Sequence, residues 1–156
     1  MSATSVSGDV EYFTITVPAG QRLNAVRLTA YAGLDGTSFI GVQAGPIFTV
    51  PASPPPSPSA LLGYAHFGPT TPSPVGDNVL DNMATGSGAQ GFSGTLGPGQ
   101  YTFWSQQTGA NAATYTFAFD VAPPAPVPFP PAFAAVLALG LGCAGMLGLR
   151  KAARAR

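Results

Sequence analysis

Two stretches of the chain alternate between apolar and polar residues with a period of two. In residues 10–17, Phe13, Ile15 and Val17 fall on one face, and the threonines between them fall on the other. Residues 113–121 repeat the arrangement, with aromatic residues on one face and threonines on the other. Because successive side chains of a strand point to opposite faces, this period predicts two half-buried β-strands.

A third alternating stretch covers residues 23–31. Its pattern places Val26, Leu28 and Ala30 inward and leaves Arg27 among the outward residues. We therefore predict another half-buried strand here.

Shorter apolar runs complete the body of the chain. They predict further strands at residues 38–43, 47–50, 61–67 and 100–107. The dipeptide Asp35-Gly36 and residues 108–111 are typical of hairpin turns, and residues 79–84 fit a helical turn. About eight short strands separated by Gly and Pro turns predict an all-β fold, an antiparallel β-sandwich over residues 1–122.

A proline-rich segment interrupts this body at residues 51–58, where five of eight residues are proline. Proline lacks the N–H that a sheet interior requires, so the segment predicts an exposed loop of polyproline type. A domain boundary is the alternative. We favour a loop within one domain because the forty residues before it need strand partners from the second half.

The C-terminal part of the chain has a different pattern, with a Pro-rich linker at residues 123–131 followed by an apolar run. Residues 132–149 contain no charge and no proline. As a helix they would extend roughly 27 Å, close to the ~30 Å hydrocarbon core of a bilayer. A buried core helix is the alternative, but such helices usually carry a polar face. We predict a single transmembrane helix.

A basic end, residues 150–156, follows this run directly and carries four cations: Arg150, Lys151, Arg154 and Arg156. Short flanks rich in Lys and Arg remain on the cytoplasmic side of a membrane. The basic end therefore predicts a membrane stop, with the N-terminal body on the outer side.

The linker and the helix together resemble a known sorting signal. Val127, Pro128, Phe129 and Pro130, then the apolar run and the basic end, resemble the PEP-CTERM family, most closely its V-P-L-P-A variant. Phe129 stands where that family has Glu or Leu. The resemblance implies an exported protein of a Gram-negative bacterium. An exosortase-like transpeptidase would process it in the inner membrane before delivery to the cell surface or the extracellular matrix.

Residues 1–8 show neither the basic nor the apolar region of a signal peptide. Since a sorting tail presupposes export, we expect a leader upstream of this sequence. The alternative is a protein inserted by its tail, with the body in the cytoplasm, which the basic end disfavours.

Charge is distributed unevenly, because four of the six cations lie in the last seven residues. The body retains two arginines against six carboxylates, a formal charge of −4. An acidic body argues against a nucleic-acid partner, which requires a basic patch. The single cysteine, Cys143, lies in the apolar run, so no disulfide is expected in the body.

Catalytic chemistry is not indicated. His66 is the only histidine, and no nucleophile-elbow pattern surrounds any serine. We expect no enzyme activity and no resident cofactor. A calcium ion is an alternative, because hard cations bind carboxylates on sandwich loops, and four acidic residues are candidates for it: Asp9, Glu11, Asp35 and Asp77.

Aromatic residues offer a second binding alternative. Trp104 and Tyr101, with Tyr12 and Tyr31, are candidates for stacking against a sugar ring of an extracellular polysaccharide. In a sandwich this small an aromatic stripe is more often part of the core, which is the competing interpretation. Trp104 stands apart because its strand parity opposes that of Tyr101 and Phe103.

The first and last strands of the body also resemble a second family. The residues DVEYF and VPAG, and later GQYT, resemble the bacterial pre-peptidase C-terminal domain. That resemblance implies a small jelly-roll-like sandwich with an accessory or binding role. From the sequence we therefore expect a non-catalytic structural or interaction protein of the cell surface, with a carbohydrate- or calcium-binding module as the alternative.

Overall fold

The structure is a computed structural model that describes residues 1–6, 8–51, 57–70 and 72–126. Five predicted elements lie wholly or partly outside these ranges: the Pro-rich loop (its residues 52–56), the Pro-rich linker (its residues 127–131), the sorting motif within that linker (127–130), the membrane helix (132–149) and the basic end (150–156). Residues Met1–Pro124 form one compact unit, and Ala125–Arg156 form a second.

In the described ranges the regular secondary structure of the body is almost entirely β, with one short helix and a 3-10 turn at Pro58–Ala60. The strands are β1 (Ser2–Ser5), β2 (Val10–Val17), β3 (Arg22–Gly33), β4 (Ser38–Ala44), β5 (Gly63–Phe67), β6 (Gly99–Gln107) and β7 (Ala113–Ala122), and the helix is α1 (Val79–Ala84). The prediction of an all-β fold is confirmed at this level.

The strands form two sheets in which every pair is antiparallel. One sheet has three strands in the order β1-β7-β3, and the other has four in the order β2-β6-β4-β5. Buried apolar side chains of both sheets and of α1 join into one core, as in a β-sandwich.

Periodicity located most strands well. β2 has the predicted bounds, and β6 and β7 each extend the predicted range by one residue. Residues 47–50 are not a strand, however, and β1 was not predicted. Its sequence, SATS, has no apolar alternation, and the strand forms because the edge of β7 supplies its partner.

Both predicted hairpins are wrong. β3 and β4, which flank Asp35-Gly36, lie in different sheets, and so do β6 and β7. The turn residues set a tight reversal, but packing of the two sheets selects the pairing partners. The carboxylate of Asp35 instead links the two crossing loops, since it accepts hydrogen bonds from the backbone N–H of Asn111 and from its Nδ2, the latter at 3.0 Å.

A β-bulge changes the inward set of β3. The register with β7 shifts between Leu28 and Ala30, so Thr29 is an extra residue. Val26 and Leu28 are buried as predicted, whereas Ala30 is exposed and Tyr31 packs against the core. The inward placement of Ala30 was therefore wrong, because the alternation restarts after the bulge.

The centre of the core is aromatic. Phe67 of β5 is fully buried and lies 5.0 Å from Tyr115 and 4.9 Å from Phe117 of the opposite sheet, measured between ring centroids. Both contacts are edge-to-face, the arrangement that aromatic pairs prefer, and each contributes about 0.5–1.5 kcal/mol beyond area burial. These contacts hold the two sheets together.

Buried polar groups at one end of the sandwich are paired. Ser38 Oγ donates to Gln107 Oε1 at 2.7 Å, and Gln107 Nε2 donates to the carbonyl of Asn111 at 2.9 Å. The Tyr31 hydroxyl donates to the carbonyl of Asp35 at 2.9 Å. Because buried polar groups cost free energy unless they are paired, this network fixes the positions of the crossing loops.

The outer edge of β3 is covered by the segment before α1. Leu28 N–H donates to the carbonyl of Asp77 at 3.2 Å, and Val26 N–H donates to Asn78 Oδ1 at 3.0 Å. Farther along, Leu23 exchanges backbone hydrogen bonds with Leu96. These bonds protect an edge that would otherwise be open to another strand.

Candidate functional site

An aromatic surface covers the solvent side of the four-stranded sheet. Its members come from four strands and the loop after β4, and we call them the outer aromatic face: Tyr12, Phe39, Phe48, Tyr64, His66 and Trp104. In the strand register, Tyr12 lies opposite Trp104, Trp104 opposite Gly41, and Gly41 opposite Tyr64. One row across the sheet therefore carries three of the six rings.

Trp104 lies at the centre of this face and is only 3% exposed. The ring of Phe39 is 4.8 Å away and that of Phe48 is 5.7 Å away, between centroids. Opposite Trp104, a Cβ added to Gly41 would lie 3.2 Å from Phe39 Cε1, so the glycine leaves room for that ring. The indole Nε1 is buried and has no hydrogen-bond partner among the described residues.

Phe48 belongs to a loop that is fixed to the sheet by hydrogen bonds. Thr102 Oγ1 donates to the carbonyl of Gly45 at 2.8 Å, and Thr49 N–H donates to Gln43 Oε1 at 2.9 Å. These bonds hold Phe48 against Tyr12, with 5.4 Å between the ring centroids. The loop thus places one aromatic ring over two strands.

The predicted stacking residues do not share one surface. Trp104 lies on the outer aromatic face, whereas Tyr101 packs against the core on the other side of the sheet, and its hydroxyl donates to the carbonyl of Gly97 at 3.1 Å. Tyr31 is also on the core side. Tyr12, which is 50% exposed, is the sequence-derived candidate that the structure brings next to Trp104.

Phe48 was not among the candidate residues. The sequence placed it in a strand at residues 47–50, where an aromatic residue is ordinary. Its contact with Trp104 depends on a loop folding back over a strand far along the chain. No local pattern indicates such a contact.

The acidic candidates for calcium have different surroundings. Asp77 accepts hydrogen bonds from Asn78 N–H and Asn82 Nδ2, both at 2.9 Å, so it links the segment before α1 to the helix. Burial, and then the neighbouring charge of Asp9, raise the pKa of the Glu11 carboxyl. Within the described ranges no group of three or more His, Cys, Asp or Glu side chains is placed to hold a metal ion.

His66 lies on the outer aromatic face and is exposed. Its ring is 5.6 Å from that of Phe39 in an edge-to-face arrangement. The imidazole thus packs against Phe39 as an aromatic ring would. The two residues lie opposite each other in the pairing of β4 with β5. His66 therefore adds an exposed polar ring to the outer aromatic face, on the edge strand of the sheet.

Tyr115 is a titratable residue that is buried between the two sheets. Its hydroxyl shares a hydrogen bond with Ser105 Oγ. Burial raises the pKa of the Tyr115 phenol, which therefore keeps its proton at neutral pH. The pair is a neutral structural contact within the core.

In the ranges that the structure describes, no helix has the length and apolar character needed to cross a membrane. The predicted membrane helix lies at residues 132–149, outside those ranges. A comparison with protein-family models found no match, and a comparison with curated proteins found none either. The two family resemblances drawn from the sequence therefore stay predictions.

Proposed function

We propose that this chain is an exported, non-catalytic protein of the cell surface or the extracellular matrix with a structural or interaction role. Its body is a jelly-roll-like β-sandwich. A single transmembrane helix at residues 132–149 forms part of a PEP-CTERM-like sorting and anchoring signal. The protein is inserted in the inner membrane during transit, with its N-terminus outside, and then reaches the cell surface.

The observation that carries this proposal is the order of features in the C-terminal sequence: a Pro-rich linker, then the uncharged residues 132–149, then four cations. As a helix, residues 132–149 would extend roughly 27 Å, close to the ~30 Å hydrocarbon core of a bilayer. An apolar segment of this length needs an apolar environment. A bilayer supplies it, because a helix satisfies its own backbone groups in lipid.

The body supports a non-catalytic role by the way its polar groups are used. Asp35 and Asp77 accept hydrogen bonds that fix loops, and the Tyr115–Ser105 pair is buried in the core. His66 contacts an aromatic ring. These contacts serve structure.

Processing of the tail provides the test. The chain, expressed with its natural upstream DNA, is placed in a Gram-negative host with and without an exosortase-like transpeptidase. We expect the protein in the membrane fraction without the transpeptidase, and a smaller, released product with it. Replacing Val127, Pro128 and Pro130 by alanine should abolish the conversion, whereas replacing Pro123 and Pro124, in the same linker, should not.

Orientation is tested separately through the basic end. Replacing the four cations of the basic end by glutamine should reduce the fraction of protein that inserts in the correct orientation, because Lys and Arg set the orientation of a membrane helix. Protease added to the outer side should digest the body of the unchanged protein. Recovery of the unchanged full-length protein wholly in the soluble cytosolic fraction would contradict the proposal.

A second candidate function is supported by one specific observation, the pairing of Tyr12 with Trp104 on the outer aromatic face. An exposed aromatic ring next to a buried one, with the exposed His66 on the same face, suits the apolar face and the hydroxyls of a sugar ring. The alternative is therefore a carbohydrate-binding module that uses the same anchor. A calcium-binding module has no comparable observation in its favour.

Calorimetric titration distinguishes these functions. Neutral and acidic polysaccharides, and calcium, are added in turn to the full chain and to two variants. Tyr12→Ala should weaken polysaccharide binding, whereas Thr16→Ala, on the same face of the same strand, should leave it unchanged. Trp104→Ala is a poor probe because truncating a buried aromatic costs about 3–5 kcal/mol of stability. Absence of heat with every ligand would leave the structural role alone.

A further inference from the structure

The larger sheet ends at a long edge strand, β2. Its 8 residues pair with β6 on one side without a register shift, and in the described ranges no strand lies on its other side. The strand contains no proline, no cation and no bulge, which are features that protect an edge from further pairing. β5, at the opposite edge, is shorter, and Gln90 and Gly91 donate to the carbonyls of Leu61 and Leu62 just before it.

The directions of the backbone groups of β2 follow from the ladders on the two sides of β6. Gly45 N–H donates to the Gln100 carbonyl at 2.8 Å, which continues the register of β4 with β6. Because the groups of an antiparallel strand alternate between its two sides, the next residue of β6, Tyr101, bonds to Ile15 of β2. Ile15 and every second residue before it therefore face β6. The backbone groups that point away from the sheet and lack a partner in the described ranges belong to Tyr12, Thr14 and Thr16.

The side chains along this edge suit an added strand on both faces of the sheet. On the core side, Phe13 and Ile15 are half-buried, so a further strand would complete their burial. On the outer side, Tyr12 is half exposed, and the loop after β4 reaches β2, since the Thr14 hydroxyl donates to the carbonyl of Pro46 at 3.2 Å. Ile47, the next residue of that loop, is 70% exposed. Exposed apolar side chains beside an unpaired strand are typical of a protein–protein contact.

The charges of the edge favour one pairing of two copies. Asp9 and Glu11 lie at the start of β2, and the rest of the strand is uncharged. If two copies pair antiparallel about Thr14, Glu11 lies opposite Val17 of the second copy. The two Glu11 carboxylates are then roughly 20 Å apart along the strands, beyond the ~8 Å Debye length at physiological salt. A pairing centred nearer the start of β2 would bring the carboxylates together, which is destabilising.

We propose that β2 is a self-association edge, at which two copies of this chain join antiparallel about Thr14. Tyr12 exchanges backbone hydrogen bonds with Thr16 of the second copy, and Thr14 exchanges them with its own counterpart, so the unpartnered groups of the edge are all used. On the core side Phe13 lies opposite Ile15, an aromatic and β-branched pair of the kind that stabilises antiparallel sheets. The contact is two-fold and self-complementary, as a symmetric dimer requires.

Self-association at β2 joins the larger sheets of two copies into one continuous sheet. Residues opposite each other in an antiparallel pair place their side chains on the same face, so the outer aromatic faces of both copies lie on one side. Tyr12 is then four positions along the strand from its counterpart, about 13 Å. The dimer therefore presents two aromatic surfaces side by side, the arrangement that a multivalent contact requires.

Amide hydrogen exchange tests the proposal. It is measured by NMR on the full-length chain in detergent micelles, in a dilute and in a concentrated sample. We expect the amides of Tyr12, Thr14 and Thr16 to exchange rapidly in the dilute sample and slowly in the concentrated one. The amides of Phe13 and Ile15, which are bonded to β6, serve as an internal reference that stays protected in both samples.

Charge exchange at Thr14 tests the register. Thr14→Lys and Thr14→Glu each set like charges opposite each other at the two-fold axis, so each variant alone should self-associate about 1.5- to 5-fold more weakly than the unchanged protein. An equal mixture of the two should form a heterodimer that is tighter than either homodimer. Both variants lose the hydroxyl contacts with Thr102 and Pro46, so mixing changes only the charge pairing. Sedimentation measures the association, and the native fluorescence of Trp104 reports that the body stays folded.

The same two substitutions at Thr16 are the matched control. Residue 16 lies opposite Tyr12 of the second copy, so Thr16→Lys and Thr16→Glu should gain little from mixing. Protection of the three edge amides at every concentration would overturn the proposal by showing that a segment of the same chain covers β2. Rapid exchange of these amides at every concentration would show that the edge stays unpaired. Rescue by mixing at residue 16 and not at residue 14 would contradict the pairing about Thr14.

Discussion

Gly63, the first residue of β5, lies where α1 and the following loop approach the sheet most closely. A Cβ added there would lie 2.7 Å from Phe92 Cε1 and 2.9 Å from the carbonyl carbon of Met83, and it would also contact the Met83 carbonyl oxygen. Ordinary carbon contacts are about 3.5–4.0 Å, so these neighbours must move by roughly 0.5–1 Å. The oxygen also accepts the Gly86 N–H at 3.2 Å, which couples the shift to the end of α1.

We expect Gly63→Ala to destabilise the body. Overpacking of a filled site costs about 1–3 kcal/mol. Alanine recovers about 0.4–1 kcal/mol because it restricts the unfolded chain. Taking the middle of each range, the expected net loss is about 1.3 kcal/mol, equivalent to a fall in Tm of about 4–8 °C for a body of this size.

Urea unfolding measures this loss directly. Trp104 is the only tryptophan in the chain and is buried, so its fluorescence reports unfolding of the body. Gly97→Ala is the matched control, since a Cβ at Gly97 meets nothing within 4 Å and its φ lies outside the positive range. We expect the control to be neutral or slightly stabilising. Equal unfolding midpoints for the two variants would refute the argument from close approach.

Three further predictions concern charged and buried polar groups. Glu11→Gln should stabilise the body at neutral pH, because the raised pKa of Glu11 means that folding opposes its ionised form; the gain should vanish below about pH 4 in urea titrations. Tyr115→Phe should cost about 1–2 kcal/mol by leaving Ser105 without its partner. The same variant should lose less stability above pH 10 than the unchanged protein. Because folding raises the pKa of Tyr115 above 10.0, the stabilisation from its protonated phenol is complete below that pH and falls as the pH rises further. Unfolding curves at alkaline pH would measure the difference. Asp35→Ala should cost about 1 kcal/mol and speed amide exchange at Asn111, whose N–H it accepts.

Local pattern decided much of this fold. The alternation in residues 10–17 gave β2 with its observed bounds, and aromatic residues at every second position marked β7. These features depend only on the two-residue repeat of a strand, which any half-buried strand must show. The membrane helix at residues 132–149 is likewise predicted from local pattern alone, and it stays a prediction.

Tertiary structure decided the features that depend on distant partners. The predicted hairpins failed because each strand pairs within the sheet where its apolar face is buried, and that sheet is not always the one of its sequence neighbour. Ala30 faces solvent because a bulge at Thr29, imposed by pairing with β7, restarts the alternation. Trp104 is buried although it points away from the core, because Phe39 and Phe48 cover it from other segments. Periodicity separates the two faces of a strand, but burial of each face depends on which segments fold over it.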